Sequence, residues 1–336
     1  MSRIAVIGAG AWGTALAIAL GRKGTHSIQL WANEEEVVES IAQRRVNERF
    51  LPGFEIPSSV EATRDLDAAL GGAEIVVSVM PSQYCRSLFE RMLGSIRPET
   101  LIVSCTKGLE SGTLLRMSEL VAEVLRPRKF TPRVGALSGP SFAKEVARGD
   151  PTAVTVASSD SELARAVQQA FNSSRFRVYT NDDVIGVELG GALKNIIAIA
   201  AGVCDGLELG HNSVAALITR GLAEIARLVV ACGGRLDTMA GLAGLGDLVL
   251  TCTGDLSRNR SVGVELGKGR KLPDIIAGMH GAVAEGVFTT KAAVGLAGRK
   301  NIEMPITEQM FAILEQGKAP QQAIEDLMTR AARAES

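Results

Sequence analysis

Short apolar runs punctuate the first half of the chain: RIAVIG, SIQLWA, EIVVSVMP, TLIVSCTKG, RVGALSG, TAVTVAS and FRVYT, all before about residue 180. Each is brief and rich in β-branched residues, and each is followed by a stretch with helical character. Such alternation predicts parallel strands joined by crossover helices, an α/β doubly wound sheet. After NDDVIGVELGGALKN the β-branched runs nearly vanish. Alanine, leucine and glutamate then dominate, as in NSVAALITRGLAEIARLVVACGG. The pattern therefore predicts an α/β unit over 1–185 and an all-α unit over 186–336, with the change near 180–190 and a ligand cleft between the two layers.

The first strand-to-helix transition carries chemistry. RIAVIGAGAWGTALAIALGRKG sets Gly8, Gly10 and Gly13 in G-x-G-x-x-G spacing between a strand and an alanine-rich helix. In such a turn the first glycine permits the tight reversal, the second admits a diphosphate to the backbone, and the third lets helix and strand pack closely. Strand, triplet, helix and second strand in that order predict a Rossmann-like dinucleotide unit, with NAD or NADP as cofactor. The second strand should end near Trp31, where an acidic residue would bind the adenosine ribose of NAD. Asn33 stands there, with acid only from Glu34 onward and no arginine beside it in sequence to hold a 2′-phosphate. NAD and NADP both stay open. Pro81 and Ser82 follow the EIVVSVMP strand, either as a plain turn or as an edge of the cofactor site.

Charge narrows the partners. Lysine plus arginine (36) nearly balance aspartate plus glutamate (37), so nothing global attracts nucleic acid or an anionic membrane. A basic site must be local. The five cysteines form no CxxC or zinc-like spacing, and with only three histidines no metal site is expected. Their odd number suits free thiols in a reducing cytosol. With no leader-like N-terminus and no uncharged apolar stretch of the roughly 20 residues a bilayer requires, a soluble cytoplasmic protein is expected.

Three loops carry candidate anion-binding groups. Lys107 follows the TLIVSCT strand, either as a solvated loop lysine or as part of the cofactor rim. Gly139 and Ser141 lie in ALSGPSFAKE, where the serine either caps a helix or helps accept an anion. Ser257 in DLSRNRS is a plausible N-cap, with Arg258, Asn259 and Arg260 in the first helical turn. Arginines there oppose the helix dipole, and a bound phosphate would reverse that sign.

Lys194 in GGALKNIIAIAAG is a cation among small residues. On a helix its face-mates are Gly190, Gly191, Ala198 and Ala201, a groove into which another body can come close. The alternatives are a lysine that snorkels to solvent or a groove packed against the first unit. Glu188 points away, so a partner for a buried ammonium must come from elsewhere. The candidate is Asp247 in GLAGLGDLVLTCTGD, with Thr251 one turn later; a solvated aspartate in a glycine turn is the other reading.

Taken in order, GAGAWGTALA, TKGLE, SGPSFAKE, GVELGGALKN, LITRGLAE, GLGDLVLTC, SRNR, VAEG and EMPITEQ resemble the cytoplasmic NAD(P)-dependent glycerol-3-phosphate dehydrogenases along nearly the whole chain. The resemblance implies interconversion of sn-glycerol 3-phosphate and dihydroxyacetone phosphate, supplying the former for glycerophospholipid synthesis. It implies Lys194 as proton donor and acceptor with Lys107 and Asp247 beside it. Lys107, Asn195, Asp247, Thr251, Ser257, Arg258 and Asn259 would line the substrate site, and Gly139 and Ser141 would touch substrate. Ala11, Trp12, Lys107, Ala143, Arg258, Val283 and Glu285 would touch the cofactor. Asn33 departs from relatives that often carry arginine or histidine there, suited to NADP. Oligomeric state is left open, a homodimer being one expectation. Two other readings stand beside this one: a two-domain reductase acting on a 2-keto or 3-hydroxy carboxylate, and a dinucleotide-sensing module without turnover.

Overall fold

A computed structural model describes residues 2–279, 283–332 and 334. Ten strands are present among them: β1 (Ser2–Ile7), β2 (His26–Trp31), β3 (Val46–Asn47), β4 (Leu51–Glu55), β5 (Val60–Thr63), β6 (Ile75–Ser78), β7 (Leu101–Ser104), β8 (Arg133–Ser138), β9 (Thr152–Ala157) and β10 (Phe176–Asn181). Helices α1 (Ala11–Gly21), α2 (Glu35–Arg44), α3 (Leu66–Leu70), α4 (Ser82–Met92), α5 (Met117–Leu125), α6 (Ala143–Arg148) and α7 (Ser161–Phe171) are interleaved with them. Eight strands form one sheet in the order β10-β9-β8-β7-β6-β1-β2-β5, and β3 and β4 form a separate hairpin. One face packs on α1, α2, α6 and α7 through residues such as Leu16, Ile18, Ile41 and Phe171. The other packs on α3, α4 and α5 through Leu70, Phe89, Met92 and Leu120. The sheet is thus wound on both sides.

All seven apolar runs become strands, with one correction to their expected direction: β9 runs antiparallel to β8, pairing Ala136 with Ala157 and Ser138 with Thr155. A parallel return needs a crossover that runs back the length of a strand. Segment 139–151 contains only the six-residue α6. That helix rises about 9 Å, roughly half the reach of a six-residue strand, so the chain re-enters the sheet reversed.

Nine helices complete the described chain: α8 (Val184–Gly206), α9 (His211–Ala231), α10 (Leu236–Met239), α11 (Asp247–Thr253), α12 (Arg258–Gly267), α13 (Leu272–Ala277), α14 (Glu285–Lys300), α15 (Pro305–Gln316) and α16 (Pro320–Met328). Asp183 caps α8, accepting from Gly186 N (2.8 Å), Arg235 N (2.8 Å) and Thr238 Oγ1 (2.7 Å). Helix α8 has the length and hydropathy to cross a bilayer, but 89% of its apolar window is buried inside the protein. It is the central post of the helical layer.

Helices α8 and α12 meet through glycines. A β-carbon at Gly263 would sit 1.9 Å from Ile199 O, and one at Gly202 would sit 2.0 Å from Arg260 O. No side-chain adjustment relieves a clash with a helix backbone. Gly263→Val is therefore expected to lower unfolding stability by about 3 kcal/mol or more, as measured by denaturant melts; a loss well below that would mean the two helices separate without cost.

Candidate active site

The glycine turn divides its three tasks as its spacing implies. Gly8 has φ +119°, and a β-carbon there would lie 2.4 Å from Val79 O; a β-carbon at Gly13 would lie 1.8 Å from Gly8 O. Both positions exclude side chains. Around Gly10 nothing lies within 4 Å of a β-carbon, so the space above it is open. Gly10 is the N-cap of α1, with no side-chain cap and no acid in the first turn. The first N–H groups, including those of Ala11 and Trp12, are thus left to an anion. The half-buried Trp12 also aims a buried Nε1 that has no partner among the described residues. These features fit a dinucleotide diphosphate. Asn33 is exposed in the loop between β2 and α2, beyond the buried Trp31.

Across the carboxyl end of the sheet, Asp247 binds two lysines. Its Oδ1 lies 2.8 Å from Lys194 Nζ, and its Oδ2 lies 2.6 Å from Lys107 Nζ. Lys194 also donates to Thr251 Oγ1 (2.6 Å), whose hydroxyl donates to Asp247 O (2.6 Å). Lys107 comes from the loop after β7 and donates to Gly139 O (3.1 Å) as well. A π-helical turn, Leu242–Gly246, delivers Asp247 to the first position of α11, the kind of local irregularity that aims a functional residue.

The electrostatics follow from burial. Desolvation brings Lys194 down to about 8, with Asp247 opposing and Lys107 assisting that shift. Burial alone would raise the Asp247 carboxyl, but the two ammonium groups outweigh it and hold the group below the usual range. One carboxylate against two ammoniums leaves a positive excess in a nearly dry place. That favours an anionic substrate and a developing oxyanion.

Two glycines beside Lys194 correct the expectation of an open groove. A β-carbon at Gly190 would meet Ala243 O at 2.9 Å, and one at Gly191 would meet Ser138 Oγ at 2.5 Å. Ala198 and Ala201 are fully buried. The small residues let protein, Ala243 and Ser138, approach the helix at these positions.

The remaining predicted residues arrive from three elements. Ser257 caps α12, accepting from Arg260 N (3.2 Å), and is buried. Arg260 is paired with Asp205 (2.8 Å) and Asp255 (3.0 Å). Arg258 is exposed and has no hydrogen bond or ion pair among the described residues. Buried Asn259 donates to Asn195 Oδ1 (2.9 Å) and accepts from Gly286 N (3.0 Å), while Asn195 donates to Lys107 O (3.4 Å). The two amides tie α8, α12, α14 and the Lys107 loop together. Val283 is half-buried just before α14, and Glu285 opens that helix. Desolvation pushes the Glu285 carboxyl up to about 7, against the pull of Arg258. Ser141 is not a helix cap as one reading allowed: its hydroxyl donates to Gly139 O (2.8 Å), and Phe142 holds the cap position before Ala143.

Ser138 was not singled out in the sequence, and Glu188, read there as pointing away from Lys194, does so. Ser138 Oγ lies 3.4 Å from Asp247 Oδ2; its only sequence signal was adjacency to Gly139. Glu188, six residues before Lys194, accepts from Arg116 Nη1 (2.6 Å), Ser118 N (2.7 Å) and Ser118 Oγ (2.7 Å), which anchors α8 to the start of α5.

A doubly wound sheet with an anion-ready glycine turn, facing a helical layer that presents a buried lysine–carboxylate pair, defines a nicotinamide-dinucleotide-dependent dehydrogenase. Residues 3–164 match the model for the NAD-dependent glycerol-3-phosphate dehydrogenase N-terminus, and residues 183–325 match that for the C-terminus. The chain is 69% identical over 330 residues to a glycerol-3-phosphate dehydrogenase [NAD(P)+] of Koribacter versatilis, covering 98% of each chain. It is 57% identical to that of Acidobacterium capsulatum, covering 100% of each. A crystal structure of glycerol-3-phosphate dehydrogenase from Coxiella burnetii superposes with a TM-score of 0.93 at 45% identity, over 98% of this chain and 99% of that one. The chain belongs to the NAD-dependent glycerol-3-phosphate dehydrogenase family.

Proposed function

We propose that the chain interconverts sn-glycerol 3-phosphate and dihydroxyacetone phosphate with NAD(H) or NADP(H), and that Lys194 donates and accepts the proton at the substrate oxygen. The observation that carries this reading is the buried Lys194–Asp247–Lys107 cluster, with its positive excess and a lysine brought to about 8. A group with that pKa holds a usable fraction of both protonation states near neutrality, as general acid/base work requires. Bound nicotinamide supplies or takes up the hydride. Lys107 adds positive charge where the alkoxide develops, and Asp247 keeps both ammonium groups oriented. Thr251 fixes the Lys194 rotamer. Production of glycerol 3-phosphate for phospholipid synthesis, a division at residue 185 into dinucleotide-binding and substrate-binding units, and a homodimeric assembly belong to the same proposal. So does a cytoplasmic location, which the five free cysteines support.

Arg258 is the proposed grip on the substrate phosphate, together with the N-terminus of α12. Its first-turn position is unfavourable for a cation alone and favourable once a phosphate is bound. A charge-assisted contact contributes about 1.5–3 kcal/mol, which remote binding can direct to the reacting carbon. Arg258→Ala is expected to lose most of the preference for dihydroxyacetone phosphate over dihydroxyacetone in kcat/KM; an unchanged ratio would place the phosphate elsewhere. The activity itself is tested by following loss of reduced nicotinamide with dihydroxyacetone phosphate, and with a 2-keto carboxylate as the competing substrate. Turnover of the carboxylate alone would overturn the reading.

A further inference from the structure

We infer that Arg64 is the group that receives the 2′-phosphate of NADP, exchanging a weak, exposed ion pair with Glu35 for that phosphate. In sequence, the end of β2 carries no arginine. The sheet supplies one from the neighbouring strand. Strand β5 lies parallel to β2 with Thr63 opposite Trp31, and Ala32 N donates to Thr63 O (3.0 Å). Trp31 Nε1 donates to Arg64 O (2.8 Å). Arg64 therefore leaves the sheet about one strand spacing, roughly 4.8 Å, from the end of β2.

Its guanidinium turns toward α2. Arg64 Nη1 lies 3.0 Å from Glu35 Oε2, in the first turn of that helix and two residues past Asn33. The side chain thus spans from the end of β5 to the start of α2, alongside loop 32–34. This is where a dinucleotide fold reads the adenosine ribose, through an acid for NAD or a nearby arginine for NADP. Asn33 is uncharged, so it neither demands the 2′-hydroxyl nor repels a phosphate.

The pair is poised to exchange partners. Side-chain exposures of 53% and 70% place Arg64 and Glu35 in water, where an ion pair contributes little. A phosphate that engages the guanidinium fork through two hydrogen bonds is the stronger partner. Of the neighbouring acids, Glu36 is engaged by Arg49. Glu34 has no ion pair among the described residues and remains free to favour the ribose hydroxyl of NAD.

The inference rests on the dinucleotide lying across the Gly8–Gly13 turn, and the experiment separates the two. KM and kcat for NADPH and NADH are compared in the unmodified enzyme, Arg64→Ala, Glu35→Gln and Gly10→Val. Arg64→Ala should raise KM for NADPH about tenfold or more, the loss of one charge-assisted contact, with KM for NADH changed less than about twofold. Glu35→Gln should lower KM for NADPH by releasing the arginine. An equal change for both cofactors in Arg64→Ala, or no change for either, overturns the assignment. Gly10→Val fills the open space of the turn and should weaken both cofactors. If it weakens neither, the placement of the dinucleotide fails, and the role of Arg64 with it.

Discussion

Replacing Lys194 with alanine is expected to lower kcat by about a thousandfold, within the range that a positioned proton-transfer group supplies, while KM for NADH and NADPH stays nearly constant. The separation follows from placement. Lys194 lies on α8 beside Asp247 and Thr251, whereas the turn that fits a diphosphate is Gly8–Gly13 at the start of α1. Nothing in the turn depends on the lysine. The variant should also fold, because Asp247 keeps its 2.6 Å partner Lys107 and the cation removed is one that burial penalises. A melting temperature close to that of the unmodified enzyme checks that point. Lys194→Arg is the stricter comparison. Guanidinium keeps the positive charge but does not give up its proton in the working pH range, so it should restore substrate binding without turnover. Near-normal kcat in either variant would remove Lys194 from the proton-transfer role.

Much of the scaffold was legible because its signals are local. Strand, turn and helix around Gly8, Gly10 and Gly13 lie within one short stretch, and each glycine has a separate steric reason. That Lys194 needs a partner from another element was legible, since no acid shares its helix face and a buried ammonium must be paired; Asp247 was a candidate for it beside the reading of a solvated aspartate, and the 2.8 Å contact decides between them. What escaped depends on chain meeting chain. Strand β5 reads Val-Glu-Ala-Thr and lies at the sheet edge, where burial on both faces no longer enforces an apolar run. The hairpin of β3 and β4 contains Pro52 and Gly53, residues that signal a break, not a strand. The glycines beside Lys194 signalled close approach correctly but could not say by what; Ala243 and Ser138 fill that space. Glu188 points away from Lys194 as expected, but its partners Arg116 and Ser118 lie some seventy residues earlier in the chain and left no local signal.

The second large effect is expected from Asp247→Asn, and its sign is fixed by what surrounds Lys194. Burial lowers the Lys194 pKa most, Lys107 lowers it further, and the Asp247 carboxylate is the principal influence raising it. An amide at that position keeps the shape and removes the charge. Lys194 then titrates below about 8, by roughly one unit or more, the usual effect of an opposite charge at contact distance. In the proposed role of Lys194, reduction of the ketone needs the ammonium form, so its activity should fall at lower pH than in the unmodified enzyme. Oxidation of the alcohol needs the free amine, so its rising limb should move in the same direction. Stability carries the same signature. The unfolded lysine titrates near 10.5 and the folded one near 8. The unfolded chain therefore binds more protons across that interval, and this group's penalty on folding is full below about 8 and disappears as pH rises through the window. In Asp247→Asn the lower edge of the window moves down and the penalty at neutral pH grows. Profiles of kcat/KM in both directions, with melting temperature over the same pH range, measure both effects. An alkaline limb for reduction that stays in place or moves upward would show that Asp247 does not set the proton affinity of Lys194, and the pair would then have to be read as a structural tie between α8 and α11.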